Sequence, residues 1–251
     1  TVPVTARLNR VELGADLALT DVTGTFDAGA GIAGEFEARV NGEAAIAGLL
    51  TRGAFGPDVQ VLSSDGGAVL RAAGIFRTAH GGRMMLNLQS LEAPRSYAGA
   101  LRIEGPRLRD APAMAELLNL ISVVGLLEQL SGEGINLGTV DARFVLNPGR
   151  LTLTEGAAVG PSLGISMDGV YDTNARRYDM QGVVSPLYMV NGLVGALFAP
   201  RREGLFGFSY RLTGTGQQSN VSVNPLSILT PGIFREIFRR PPPDLTETET
   251  Q

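Results

Sequence analysis

Apolar and polar residues alternate one by one along much of this chain, the period of a strand with one buried face. Over 2–105 the segments "TARLNRVEL", "ADLALTDV", "GEFEARV", "AAIAGLL", "DVQVLSS", "GAVLRAAGIF", "RMMLNLQS" and "YAGALRIEG" read as successive strands. Met84, Leu86 and Leu88, and then Tyr97, Gly99, Leu101 and Ile103, keep this period of two clearly. No helical period interrupts them, so parallel βαβ architecture, whose crossovers need helices, is not expected.

The pattern changes at 110–130. Asp110 offers an N-cap and Pro112 suits the first turn, so "MAELLNLISVVGLLEQL" is predicted as one helix ended by Gly132 or Gly134. Met114, Leu117, Leu118, Ile121 and Val124 form a stripe that Leu120, Val123, Leu126, Leu127 and Leu130 widen, leaving little polar face. Strands resume with "TVDARFVL", a turn at Asn147, Pro148 and Gly149, then "RLTLTEG", "LGISMDGVYD", a turn over 172–175, and "RRYDMQGVV". Ser185 and Pro186 open a second predicted helix, "PLYMVNGLVGALF", and a hairpin of "GLFGFSYRLTGTG" with "NVSVNP" follows. In "SVNPLSILTPGIFREIFRR", Thr230 and Pro231 start a last short helix with Ile233, Phe234, Ile237 and Phe238 on one side and Arg235, Arg239 and Arg240 flanking them. Those arginines complement the helix dipole, or with the phenylalanines they form an interfacial foot for anionic lipid. The tail over 241–251, "PPPDLTETETQ", has the composition of a disordered segment.

Composition supports the strand reading: 33 glycines and 14 prolines fall between short alternating segments, and an apolar content of 44% is ample for a core. There are no cysteines, which removes disulfides and thiolate metal sites. All 21 basic residues are arginine, yet the net charge is −4, giving no electrostatic footprint for nucleic acid as a partner. No run reaches the roughly 18 apolar residues of a membrane span. The alternation of Val2, Val4, Ala6 and Leu8 begins without an entry segment, the expectation for a piece of a longer protein.

Catalytic chemistry is sparse. The run from Gly29 to Gly34 spells G-x-G-x-x-G, but "EFEARVNG" after it alternates like a strand, so a glycine-rich hairpin explains it better than a dinucleotide site, and no cofactor is expected. The run around Ser162 spells G-x-S-x-G, but a strand follows it and His80, the single histidine, lies upstream in what reads as a loop. Asp168 with Asp172, or Glu133 with Asp141, can be paired as carboxylates only on paper. No cluster has metal-ligand character. Catalytic residues, metal and cofactor are therefore all expected to be absent, and binding or structure is favoured over catalysis.

Five segments, "LLNLISVVGLLEQLSGEGINLG", "GAAVGPSLGISMDGVYD", "GVVSPLYMVNGLVGALF", "EGLFGFSYRLTGTG" and "VSVNPLSILTPGIFREIF", resemble in that order the C-terminal region of the AsmA-like envelope proteins of Gram-negative bacteria, in particular their YhdP-like branch. The resemblance covers about 110–238; residues 1–109 fit through strand pattern alone. It departs at "LFAPRREG", where the family pattern continues with Pro and Gly. The resemblance implies a periplasmic part of a protein anchored in the inner membrane by an upstream span. It also implies a long β-sheet curled like a taco around an apolar groove that carries phospholipid to the outer membrane.

The expectation is therefore a mainly β protein: a curled, antiparallel-rich sheet forming an apolar groove, with a few short apolar helices towards its C-terminal end. Residues 1–109 would form a groove segment, 110–240 the AsmA-like region, and 241–251 the tail. Leu86, Leu101, Ile121, Phe144, Leu151, Leu163, Ile165, Phe206 and Phe208 are the candidate groove residues, and Phe234, Arg235, Phe238, Arg239 and Arg240 the candidate membrane contacts. The expected partners are phospholipid acyl chains, with the inner leaflet of the outer membrane or an envelope protein at the far end. The same alternation also suits two sheets packed face to face, or an envelope module that docks a partner and carries no lipid.

Overall fold

The computed structural model describes residues 3–14, 16–27, 29, 31–186, 207–215 and 218–224. In chain order the elements are β1 (Val4–Glu12), β2 (Ala18–Asp27), β3 (Ala33–Val40), β4 (Ala44–Arg52), β5 (Pro57–Ser63), α1 (Gly66–Ala72), β6 (Ala79–His80), β7 (Arg83–Ser90), β8 (Tyr97–Glu104) and β9 (Arg107–Leu108). Then come α2 (Pro112–Leu120), α3 (Val124–Ser131), β10 (Ile135–Asn136), β11 (Thr139–Asn147), β12 (Arg150–Val159), β13 (Leu163–Asp172), β14 (Arg177–Pro186), β15 (Phe208–Thr215) and β16 (Gln218–Asn224).

The protein is mainly β. Among the described residues thirteen strands make one antiparallel sheet in which neighbours follow chain order, β1-β2-β3-β4-β5-β7-β8-β11-β12-β13-β14-β15-β16. By its contacts the chain divides into two compact units, Thr1–Arg109 with Thr139–Pro148, and Asp110–Gly138 with Gly149–Gln251.

In the first unit, the segment read as a strand at "GAVLRAAGIF" is instead helix α1. Its start signal is Asp65, whose carboxylate accepts the Ala68 N–H at 2.8 Å, and its stop signal is Gly74 at φ +69° just past the last turn. Gly66 and Gly67 let the helix lie close against the sheet, because a Cβ on Gly66 would sit 2.8 Å from the Met84 Cβ. The helix joins Val22, Ala38, Val40, Ala44 and Ile46 in a buried cluster through Ala72. Asn41, in the β3–β4 turn, holds its far end. The side-chain oxygen accepts from the Ala18 N–H at 2.8 Å while the amide donates to the Asp16 carbonyl at 2.8 Å and to the Ala72 carbonyl at 2.7 Å. His80, expected in a loop, pairs within the short strand β6 opposite Arg107 of β9.

In the second unit, the predicted single helix over 110–130 is broken into α2 and α3. Ser122 adopts φ +59°, and the Val123 N–H bonds back to the Leu118 carbonyl at 3.0 Å. The break answers the problem posed by an all-round apolar helix, since Leu117, Leu118, Ile121, Val123, Leu126 and Leu130 are all buried once the segment folds back. Ala111, not Asp110, occupies the N-cap, with Pro112 in the first turn as expected. Ser185 and Pro186 end strand β14 instead of opening a helix, Pro186 lying opposite Leu163. The remainder of that predicted helix, the final helix and the tail lie outside the described residues. The hairpin of β15 and β16 forms as expected, with Leu212 opposite Val221, and α2 packs on β16.

Asn41→Asp keeps the acceptor but turns two donated bonds into a carboxylate facing two carbonyls. It is expected to cost about 1–3 kcal/mol of stability and to speed amide exchange over 66–73. Unchanged exchange there, measured by mass spectrometry, would remove Asn41 as the anchor of α1.

Candidate functional site

The register of the first unit assembles one apolar face, strand by strand. One row of directly opposed residues runs Ala6, Gly24, Phe36, Gly48, Val61, Leu86, Leu101 and Ala142. The next, two residues along each strand, runs Val4, Phe26, Gly34, Leu50, Val59, Leu88, Gly99 and Phe144. Eight strands therefore contribute to both rows without a single charged side chain. The other face carries polar pairs such as Gln60 with Asn87 at 2.9 Å and Arg102 with Asp141 at 2.7 Å.

Burial across the apolar face is graded. Met84 and Ile103, opposed beside α1, are 2% and 1% exposed. One row away, Phe36, Val61, Leu86 and Leu101 are only half-buried, and so are Leu50, Val59, Leu88 and Phe144 in the row beyond. A helix seals one end of the face and the rest keeps apolar surface in reach of solvent.

The face is also smooth, for a reason visible only with the register in hand. Large side chains stand opposite glycines and lie across them. A Cβ on Gly48 would come within 2.1 Å of the Phe36 ring, and one on Gly99 within 2.3 Å of the Phe144 ring. Each ring thus covers the bare backbone of the neighbouring strand.

The second unit repeats the device on its own face. Tyr178 lies over Gly214, Met180 over Gly169, and Tyr210 over Gly182, with the Tyr210 hydroxyl donating to the Ser166 carbonyl at 2.9 Å. Burial of the Tyr178 ring raises its phenol above the ordinary value. Ile165, Val184 and Phe208 are opposed in one row, and Leu153, Gly169, Met180, Leu212 and Val221 in another. The reverse face holds Asp168, which accepts from Gln181 at 2.9 Å, and a two-pronged Arg211–Asp179 pair. Donating to the Asp179 carboxylate raises the Arg211 guanidinium further above its already high value.

The predicted groove residues fall into two sets. Leu86 and Leu101 are direct neighbours in the first unit, with Phe144 in the adjoining row. Leu151, Ile165 and Phe208 are half-buried on the face of the second unit, where Leu163 is fully buried, and Ile121, at the end of α2, is buried too. Buried as they are, Leu163 and Ile121 serve the core. Phe206, Phe234, Arg235, Phe238, Arg239 and Arg240 lie outside the described residues. Sequence reasoning missed Phe36, Val59, Val61 and Leu88 in the first unit and Met167, Met180 and Leu212 in the second, although each sits in an alternating segment and a glycine on a neighbouring strand marks several of them.

The two short motifs take their plainer form. Gly34 stands in β3 opposite Phe26, within the β2–β3 hairpin, and Ser162 sits in the turn from β12 to β13, closed by the Gly160 N–H on the Leu163 carbonyl at 2.9 Å. The carboxylates weighed for catalysis have structural bonds: Asp172 accepts the N–H groups of Asn174 and Ala175, and Asp141 pairs with Arg102. Among the described residues no three His, Asp or Glu side chains converge as metal ligands would, and no helix is long and apolar enough to cross a membrane. No protein-family model, curated protein or solved structure matches the chain.

If the glycine-ring pairing builds this face, Gly99→Val must lift the Phe144 ring. The variant is expected to lose about 1–3 kcal/mol in urea unfolding, and Phe144→Ala in the same chain should recover part of that loss. Additive losses in the double variant would show that the two residues do not share the space.

Proposed function

We propose that this chain binds the acyl chains of phospholipids along its apolar sheet face, as a non-enzymatic periplasmic segment of a lipid-transfer bridge of the AsmA-like kind. The observation that supports this reading is the pair of charge-free rows spanning eight strands of the first unit, half-buried and smoothed by rings laid over glycines. An acyl chain resting on such a surface gains roughly 0.8 kcal/mol for each methylene taken out of water, so a dozen or so methylenes hold a lipid with no directed contact. The rows contain no charged group that would have to be desolvated. The ordered resemblance of the C-terminal segments to the YhdP-like branch is the second support, and it supplies the periplasmic location, the upstream anchor and the far-end partner, either the inner leaflet of the outer membrane or an envelope protein.

Organic extracts of the purified chain, analysed by mass spectrometry, are expected to contain phospholipid. Leu101→Asp places a carboxylate in the middle of the face and is expected to lower the lipid content about tenfold. Leu62, 46% exposed on the reverse face of the same sheet, is the control, and Leu62→Asp should leave the content unchanged. Folded protein that carries no lipid, or equal loss in the two variants, would overturn the proposal in favour of a module that docks a partner.

A further inference from the structure

Helix α1 ends in a glycine cap that fixes the chain beyond it. Gly74, at φ +69°, donates from its N–H to the Arg71 carbonyl at 2.9 Å, and the N–H groups of Ile75 and Phe76 both donate to the Leu70 carbonyl, at 3.0 and 3.2 Å. Such a cap usually brings the apolar residue after the glycine back onto the last turn of the helix. Here Ile75 is 59% and Phe76 43% exposed, so the bonded backbone holds two large apolar side chains at the surface. Past them the loop is tied down again: the Arg71 guanidinium donates to the Ala79 carbonyl, and the Arg109 N–H donates to the Thr78 carbonyl at 3.0 Å. The residues around this tip are basic. No acidic residue occurs between Asp65 and Glu92 in the sequence, and the loop itself carries Arg77. The Arg71 guanidinium lies 3.2 Å from Nδ1 of His80, and Arg107 stands opposite His80 in the β6–β9 pair with Arg109 two residues along.

We propose that the Ile75–Phe76 tip and the arginines around it are a contact site for an anionic phospholipid surface, the two apolar side chains entering the headgroup layer and Arg77 with its neighbours meeting the phosphates. The choice of occupant rests on both halves of the site. Arginines alone suit any polyanion, but a soluble polyanion gains nothing from an isoleucine and a phenylalanine raised on a fixed loop, whereas a lipid interface takes them out of water. Other exposed apolar side chains of the first unit lack the combination. Phe55, 61% exposed in the β4–β5 turn, lies between Arg52 and Asp58, and Leu13, 51% exposed, lies between Glu12 and Asp16. The contact needs no acyl chain on the sheet face, so it stands or falls separately from the functional proposal.

Flotation of the full chain with vesicles is expected to show binding when phosphatidylglycerol is mixed into phosphatidylcholine, and little with phosphatidylcholine alone. Arg77→Gln should weaken that binding about fivefold, the effect of one basic side chain near an anionic surface. Ile75→Ser combined with Phe76→Ser should weaken it about tenfold or more, and because both side chains are exposed the unfolding temperature should hardly move. The chain has no tryptophan, so Phe76→Trp reads the tip alone. Its emission is expected to shift to the blue on anionic vesicles and to be quenched by brominated acyl chains, while Phe55→Trp, at the end of β4 and β5 away from α1, reports no change. Absence of binding to anionic vesicles, or emission from Phe76→Trp that shifts no more than that from Phe55→Trp, overturns the proposal. So does full vesicle binding by the doubly serine-substituted chain, which would make the arginines a surface for a soluble polyanion.

Discussion

Large side chains placed directly across from glycines are the constraint on which the two sheet faces depend. A glycine inside a strand costs about 0.5–1 kcal/mol relative to alanine, and a cross-strand pair returns about 0.2–1 kcal/mol. The stability gain is therefore small, and the larger consequence is shape. Phe36 over Gly48, Phe144 over Gly99 and Tyr178 over Gly214 lie flat where standing rings would interdigitate with a second sheet. A face made this way is apolar but offers no knobs for a packed partner layer, which fits the half-buried state of Leu86, Leu88 and Leu101.

Covering and leaving open are distributed within each unit. In the first, α1 closes the end of the face at Met84 and Ile103, and it can approach so closely because Gly66 and Gly67 present no side chain to the strands beneath. In the second, α2 packs on β16, where Val221 is buried, while Met180 and Leu212 in the same row stay half-buried. A single sheet can fold stably with part of its apolar face uncovered only if the rest is firmly buried. The helices provide that part.

Much of this was legible in the residues. Period-two alternation located nearly every strand, and the turns at Asn147 to Gly149 and at Asp172 form where their sequences ask for them. The misreadings have physical causes. The apolar run "AVLRAAG" is as compatible with a short helix as with a strand, and the arbiter was the pair of caps, Asp65 and Gly74, which lie on either side of it. The fold-back at Ser122 carries no glycine signal, because a serine there takes the left-handed conformation that glycine usually marks. Alternation assigns Leu163 and Leu86 equally to an apolar face, but only packing decides that the first is sealed and the second half open. The glycine-ring pairs depend on register, which no single segment reveals.

Register also explains why irregular strands do not spoil the faces. In β12 the pairing shifts between Leu153 and Gly156, so that Leu151 and Leu153 before the bulge and Gly156 and Ala158 after it share one face despite their opposite parity. The shift in β2 between Thr20 and Thr23 does the same for Leu19 and Val22, both of which join the cluster under α1. In each case the extra residue preserves the apolar side where a continuous ladder would have turned half the strand over. On the proposed reading this has a consequence for selectivity. The uninterrupted rows carry no charge or directed polar group, so they can measure only how much apolar chain lies along them. Discrimination between head groups then has to come from residues at the margins of the face, since uniform apolar burial rewards every acyl chain of the same length alike.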